Sequence, residues 1–241
     1  MRYGIFSDVH GNLEAMEALR RAFTQEGIDQ YYCVGDVVGY GANPHECIEE
    51  VKKLQAVCVA GNHDWAVLGK TDTRFFNPVA KAAVNWTAKN ISRDDIDFLE
   101  GLDLTYKNED FILVHGTLQE ASQFHYLFDI EQAVVMFELM DRNVSFIGHT
   151  HVPGIFLKES NHINWLPSFE VNVKDNGQYI INVGSVGQPR DGDPRAAYCL
   201  FDTKEKIISV KRIDYDIESA QRKIIEAGLP SFLAHRLKTG Q

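Results

Sequence analysis

Tyr3-Gly4-Ile5-Phe6-Ser7-Asp8-Val9-His10-Gly11-Asn12 runs from a short apolar stretch into Asp8 and His10, two side chains able to hold a metal. A helical pattern follows over residues 12–24, where Leu13, Met16, Leu19 and Phe23 recur at helical spacing and Gly27 supplies a stop. The same passage from apolar run to metal-capable group occurs four more times. Tyr32-Cys33-Val34-Gly35 leads to Asp36, and Val57-Cys58-Val59-Ala60-Gly61 leads to Asn62-His63-Asp64. Ile112-Leu113-Val114 leads to His115, and Phe146-Ile147-Gly148 leads to His149-Thr150-His151. Sites in open α/β sheets form at the carboxyl ends of strands, so five such ends predict one metal-bearing edge.

The rest of the chain fits this pattern. Strands are expected at 31–34, 55–60, 111–114, 144–147 and 179–183, with a helix at 131–140. Asn43-Pro44-His45-Glu46 and Asn77-Pro78 are helix starts, with a capping side chain and proline at the first helical position. Asn176-Gly177 predicts a hairpin, and 196–202 with 206–213 predict an antiparallel pair. Strand-helix units early and hairpins late imply an α/β fold of two facing sheets with helices outside both. The 241 residues contain no linker-like tract and read as one domain, 1–241.

Composition excludes several classes. With 44% hydrophobic and 24% charged residues the chain is neither disordered nor fibrous. Its net charge of −10 argues against long nucleic acid as a ligand. Cys33, Cys47, Cys58 and Cys199 form no CxxC pair; Cys33 and Cys58, inside apolar runs, are expected as buried reduced thiols. No apolar run approaches a membrane span, and the opening residues do not resemble a secretory leader. The expected location is cytoplasmic.

The candidate ligands are oxygen from Asp8, Asp36 and Asn62 and nitrogen from His10, His115, His149 and His151, with no sulfur. This set suits manganese, iron, zinc, nickel or cobalt. Seven ligands exceed the needs of one ion, which points to two ions sharing a carboxylate. His149 and His151 on a strand would share a face about 7 Å apart and could serve two metals about 3.5–4 Å apart.

The order Asp-x-His, Gly-Asp, Gly-Asn-His-Asp, His, Gly-His-x-His resembles the calcineurin-like metallophosphoesterase superfamily, with all five blocks present from Asp8 to His151. Asn182-Val183-Gly184-Ser185-Val186-Gly187-Gln188-Pro189-Arg190 extends the resemblance to its small prokaryotic phosphodiesterase branch. The resemblance implies a four-layer α/β/β/α sandwich of two mixed sheets. It implies a first metal on Asp8, His10, Asp36 and His151 and a second on Asp36, Asn62, His115 and His149, with Asp36 bridging. It places His63 beside the leaving group as general acid, with Asp64 orienting it. The implied cofactor is a pair of divalent transition-metal ions, manganese first. Two such ions, two carboxylates and a bridging hydroxide leave a local charge of about +1, enough to hold phosphate on an acidic protein. That hydroxide is the expected nucleophile.

The substrate is less defined. Gly35-Asp36-Val37-Val38-Gly39-Tyr40-Gly41 lacks the arginine that clamps phosphate in the phosphoprotein phosphatases of the superfamily, and Asp64 stands where they carry Glu. Thr117-Leu118-Gln119-Glu120 replaces the Pro- and Arg-containing stretch common in the prokaryotic branch. A small phosphodiester is the expected substrate, bound by Asn62, His63 and Arg190. The alternatives are a phosphomonoesterase, a dinucleoside polyphosphate hydrolase, or a catalytically silent interaction module. His45, His162 and His235 are expected on the surface, and His125 is expected to pack a loop under its aromatic neighbours. Arg74-Phe75-Phe76 is expected to pack a loop onto the body.

Overall fold

A computed structural model describes residues 1–160, 162–166 and 169–241, without the side chain of Phe75. Strand and helix alternate through β1 (Arg2–Phe6), α1 (Leu13–Glu26), β2 (Gln30–Cys33), α2 (Pro44–Lys53) and β3 (Val57–Cys58). Three helices follow, α3 (Asn62–Val67), α4 (Pro78–Asn90) and α5 (Arg93–Glu100). Then come β4 (Thr105–Lys107), β5 (Ile112–Val114), α6 (Ile130–Leu139) and β6 (Val144–Ile147). The last part holds β7 (Gly154–Glu159), β8 (His162–Leu166), β9 (Glu170–Asn172), β10 (Gly177–Asn182), β11 (Ala196–Asp202) and β12 (Ile207–Ile213). It ends in α7 (Ile217–Glu226) and α8 (Ser231–Leu237).

One sheet has the order β3-β2-β1-β11-β12-β9 and the other β4-β5-β6-β10-β7-β8. Strand alternation explains why they stack. Tyr3 and Ile5 of β1 point to the other sheet, where they meet Phe111, Phe146 and Tyr179 in a shared buried core. Phe6 faces outward and packs with Leu19 and Phe23 of α1 and Ile48 of α2. Ile112, Val114 and Ile180 face outward on the second sheet, against Ala133, Met136 and Phe137 of α6. Strands buried on both faces need apolar residues at every position, which is why they read as continuous runs. The expected four layers are present.

Helix boundaries follow the sequence signals, with one exception. Asn12 caps α1 by accepting from Ala15 N at 3.2 Å, and Gly27 ends it in the left-handed region. Asn77 caps α4 through Ala80 N at 2.9 Å. Asn43 makes no side-chain cap; its own N–H donates to Gly11 O at 2.9 Å and ties the start of α2 to the loop after β1.

Two expectations need correction. The strand at 55–60 shrinks to Val57–Cys58, because Ala60 N turns away to Asp103 O at 2.8 Å. The Asn176-Gly177 turn does not join a hairpin. β9 before it pairs with β12 in one sheet, and β10 after it pairs with β6 and β7 in the other. The turn carries the chain between sheets, and Lys174 N donates to the Tyr179 hydroxyl at 3.0 Å to hold the crossing. The four cysteines are free; Cys33 is buried and Cys58 half-buried. Among the described residues no helix is long and apolar enough to cross a membrane.

Candidate metal centre

β1, β2 and β3 run parallel, as do β5, β6 and β10, so their carboxyl ends share an edge in each sheet. The loops leaving them are laced together. Asp8 N donates to Gly35 O, His10 N to Asp36 O, and Gly148 N to His115 O, each at 3.0 Å. The candidate ligands pay a conformational cost. Asp8, His10, Asp36, His149 and His151 have φ of 54°, 50°, 54°, 68° and 61°, a region where a non-glycine residue costs about 1–3 kcal/mol. His149 and His151 therefore do not sit on a strand, as their spacing suggested. They lie in the loop after β6, and their left-handed backbones turn the two rings into different groups.

Asp8, His10 and His151 form one group of potential ligand atoms, and Asp36, His115 and His149 a second; in each group the atoms lie within 4.8 Å of one another. All six side chains are buried. Each aspartate spends one oxygen on the backbone. Asp8 Oδ2 accepts from His149 N at 3.1 Å, and Asp36 Oδ1 accepts from His63 N at 2.8 Å. The other oxygens face the rings. Asp8 Oδ1 stands 3.2 Å from His151 Nε2. Asp36 Oδ2 stands 3.6 Å from His10 Nε2 and 3.3 Å from His115 Nε2, between the two groups.

The imidazoles are held in one tautomer. Nδ1 of His10, His115 and His151 lies 3.0, 2.7 and 2.6 Å from the carbonyls of Val38, Val34 and Gln188. A carbonyl only accepts, so each Nδ1 carries a proton and each Nε2 points inward, where it is free to bind a metal once that nitrogen carries no proton. His10 Nε2 and His151 Nε2 then face each other at 3.1 Å, an unfavourable pairing unless a cation or proton joins them. Asp8 Oδ1, Asn62 Oδ1 and His115 Nε2 are buried without a hydrogen bond. This donor set, nitrogen and oxygen without sulfur, fits divalent transition metals.

The charges agree. Burial opposes ionisation of Asp8 and Asp36, yet the surrounding histidines hold both carboxyls far below their usual range. Burial pushes His149 down, and it pushes His151 down to about 4. Burial would lower His115 too, but the Asp36 and Asp8 carboxylates overcome it and hold that imidazole at about 10. Without metal, His115 is therefore protonated at neutral pH, and binding through its Nε2 expels that proton. Between pH 6.5 and 8.5 the affinity for Mn²⁺ is expected to rise about tenfold per pH unit. Calorimetry in buffers of different ionisation enthalpy should show about one proton released per chain. An affinity flat with pH would contradict the assignment.

His63 stands apart from both groups. Its ring centroid is 4.9 Å from that of His10, 4.4 Å from Tyr40 and 5.3 Å from Phe76. Asp64 does not orient it. The Asp64 carboxylate accepts from Asp36 N at 2.8 Å, Val38 N at 3.2 Å and Gly61 N at 2.9 Å, while His63 Nδ1 has no partner. Asp64 fastens the β2 and β3 loops to each other. Burial and the Asp36 carboxylate push it up to about 7, against the backbone N–H groups that favour its charged form. His63 is placed by packing. A Cβ at Gly39, whose φ is +90°, would stand 2.6 Å from His63 Nδ1. If His63 acts in the reaction, Gly39→Ala is expected to lower kcat by about 10²-fold with metal content unchanged, the cost of misplacing a reacting group by about 1 Å. Paired metal analysis and kinetics check this.

Arg190 lies close by, its N–H donating to His151 O at 3.2 Å. Its Nη2 donates to Gln188 Oε1 at 2.9 Å, its guanidinium lies 5.7 Å from the Tyr40 ring centre, and its Nε is buried without a partner. Tyr126 went unnoticed in the sequence. Its ring stacks on His149 at 3.9 Å and 16°, whereas its neighbour His125 lies half-exposed near Glu120. No spacing rule marks Tyr126; only the aromatic run from Phe124 to Phe128 hinted at a packed loop. Among the remaining histidines, His45 pairs with Asp95 at 3.0 Å, and His162 and His235 are exposed.

Comparison with known proteins agrees with this geometry. An uncharacterized protein of Methanocaldococcus jannaschii is 38% identical over 241 residues, covering 98% of this chain and 97% of the relative. A metallophosphoesterase of Sphaerobacter thermophilus superposes with a TM-score of 0.86 at 38% identity, over 100% of both chains. A hypothetical protein of Pyrococcus horikoshii shares the fold at a TM-score of 0.81 and 16% identity, over 100% of this chain and 98% of the other. Residues 1–206 match the calcineurin-like phosphoesterase superfamily domain, and the chain belongs to that superfamily.

Proposed function

We propose that this chain is a metal-dependent phosphodiesterase that works with two divalent ions, manganese first. One observation supports it most: Asp8 Oδ1, Asn62 Oδ1 and His115 Nε2, buried and without hydrogen-bond partners, belong to or adjoin the two ligand groups beside a cavity lined by Asn62, His63 and His149. Bound metals supply positive charge for the phosphoryl oxygens and an acidified water as nucleophile. The chain's own groups do the rest. The Val34, Val38 and Gln188 carbonyls fix the rings. His63 delivers a proton to the departing oxygen. Burial pushes its ring down to about 3, and an anionic phosphate beside it favours the charged form. Arg190, whose guanidinium lies beside Tyr40, holds a phosphoryl oxygen.

One guanidinium matches the single charge of a diester better than the two charges of a monoester. That favours the diester over a phosphomonoester or a dinucleoside polyphosphate. The full set of ligand residues, with His63, disfavours a silent interaction module. The partner is a small phosphate ester, since the net charge of −10 repels long nucleic acid. Four free cysteines suit the cytoplasm. The test is hydrolysis of bis-p-nitrophenyl phosphate and p-nitrophenyl phosphate side by side, with Mn²⁺ and with chelator. Metal-dependent cleavage with kcat/KM at least ~10-fold higher for the diester is expected, worth about 1.4 kcal/mol of transition-state preference. A monoester preference would assign a phosphatase, and cleavage of neither would refute the proposal.

A further inference from the structure

Gln188 is buried between the metal centre and the last two helices. Its main-chain carbonyl accepts from His151 Nδ1 at 2.6 Å and fixes that ring. Its side-chain Oε1 accepts twice, from Arg190 Nη2 and from Arg236 Nη1, both at 2.9 Å. An amide oxygen has two lone pairs, so it can serve both donors. Arg236 comes from α8; its Nε donates to Gln241 O, and its guanidinium lies 5.2 Å from the Phe232 ring centre. Two guanidiniums on one oxygen repel each other. Burial and the Arg190 charge push Arg236 down to about 10. To hold a loop against a helix, one donor on Gln188 would serve with less repulsion.

Arg190 gains from such a clamp. Its main chain is tied to the metal loop, where its N–H donates to His151 O at 3.2 Å, but its guanidinium ends a long side chain. An arginine ordered beforehand binds phosphate without losing that freedom on binding. The Gln188 oxygen and the Tyr40 ring, 5.7 Å from the guanidinium, hold it from two sides. The last two helices stand behind both supports. Ala220 and Ile224 of α7 and Leu233 of α8 share a buried cluster with Tyr40, and Arg236 reaches Gln188. We infer that Gln188 and Arg236 are positioning residues, through which α8 sets the Arg190 guanidinium in place for a phosphoryl oxygen. The inference rests on the phosphoesterase reading of the site, in which Arg190 binds the phosphoryl group.

Inorganic phosphate is the probe, so the test does not rely on turnover. Manganese-loaded parent and variants are titrated calorimetrically with phosphate, and bound metal is measured in the same samples. Arg190→Gln should weaken binding about 10–100-fold, the usual strength of a hydrogen bond to a charged group. Arg236→Leu and Gln188→Leu should weaken it about 3–10-fold, the scale of coupling between neighbours, with metal content unchanged. Arg236→Lys, which keeps a donor, should lose less than Arg236→Leu. In an Arg190→Gln background Arg236→Leu should have no further effect, because it acts through Arg190. A helix that only steadied the fold would cause the same loss in both backgrounds. If Gln188→Leu does not fold, the Arg236 variants decide. An equal loss in both backgrounds, an unchanged or tighter affinity in Arg236→Leu, or an unchanged affinity in Arg190→Gln would overturn the inference. The expected pattern in a protein that cleaves no diester would refute the phosphodiesterase reading and leave the positioning role standing.

Discussion

Asp36→Asn is expected to empty both metal groups together and to abolish hydrolysis. Asp36 Oδ2 faces His10 of one group and His115 of the other, so one oxygen is placed to serve both. Asparagine has the same shape. Its carbonyl oxygen keeps the bond from His63 N, which Asp36 Oδ1 accepts at 2.8 Å. Its NH₂ then points at the histidine lone pairs, where it donates hydrogen bonds and offers no charge. The fold persists while the ligand set fails. Each affinity should fall by more than the ~10–100-fold typical of losing a residue that only supports a ligand. Elemental analysis of purified variant and parent measures it. Retention of one full equivalent would mean that Asp36 serves a single ion.

His63→Gln should give the opposite pattern, with both metals kept and turnover reduced by about 10²–10⁴-fold, the usual contribution of a positioned acid. The His63 ring belongs to neither ligand group, and its Nδ1 bonds to nothing. Its backbone N–H, which holds Asp36, survives the substitution. Metal loss, or a rate within tenfold of the parent, would remove His63 from the chemistry.

The site was legible because each ligand block follows an apolar strand, and strand ends announce themselves in sequence. The sheets were less so. Asn176-Gly177 is a local signal, but which strands pair is decided across the molecule, and here β9 and β10 belong to different sheets. The spacing of His149 and His151 suggested a strand, yet hydrogen bonds to Asp8 and Gln188 hold them in a loop with positive φ. Asp64 follows His63 directly, which suggested a catalytic pair; three backbone N–H groups from two loops claimed its carboxylate instead. Tyr126 reaches the site through a contact with His149, which sequence spacing does not encode. The helices α7 and α8 were not expected, although Ile217, Ala220 and Ile224 of α7 form a stripe that packs beside Tyr40 and Leu233.

In the proposed mechanism two ions at the strand ends carry the hydrolysis. Its most direct test starts from chelator-treated protein and adds Mn²⁺ stepwise, measuring bound metal and bis-p-nitrophenyl phosphate hydrolysis in the same samples. Activity should be negligible without metal and should saturate at two bound equivalents per chain. Saturation at one equivalent, or hydrolysis that persists without metal, would contradict it.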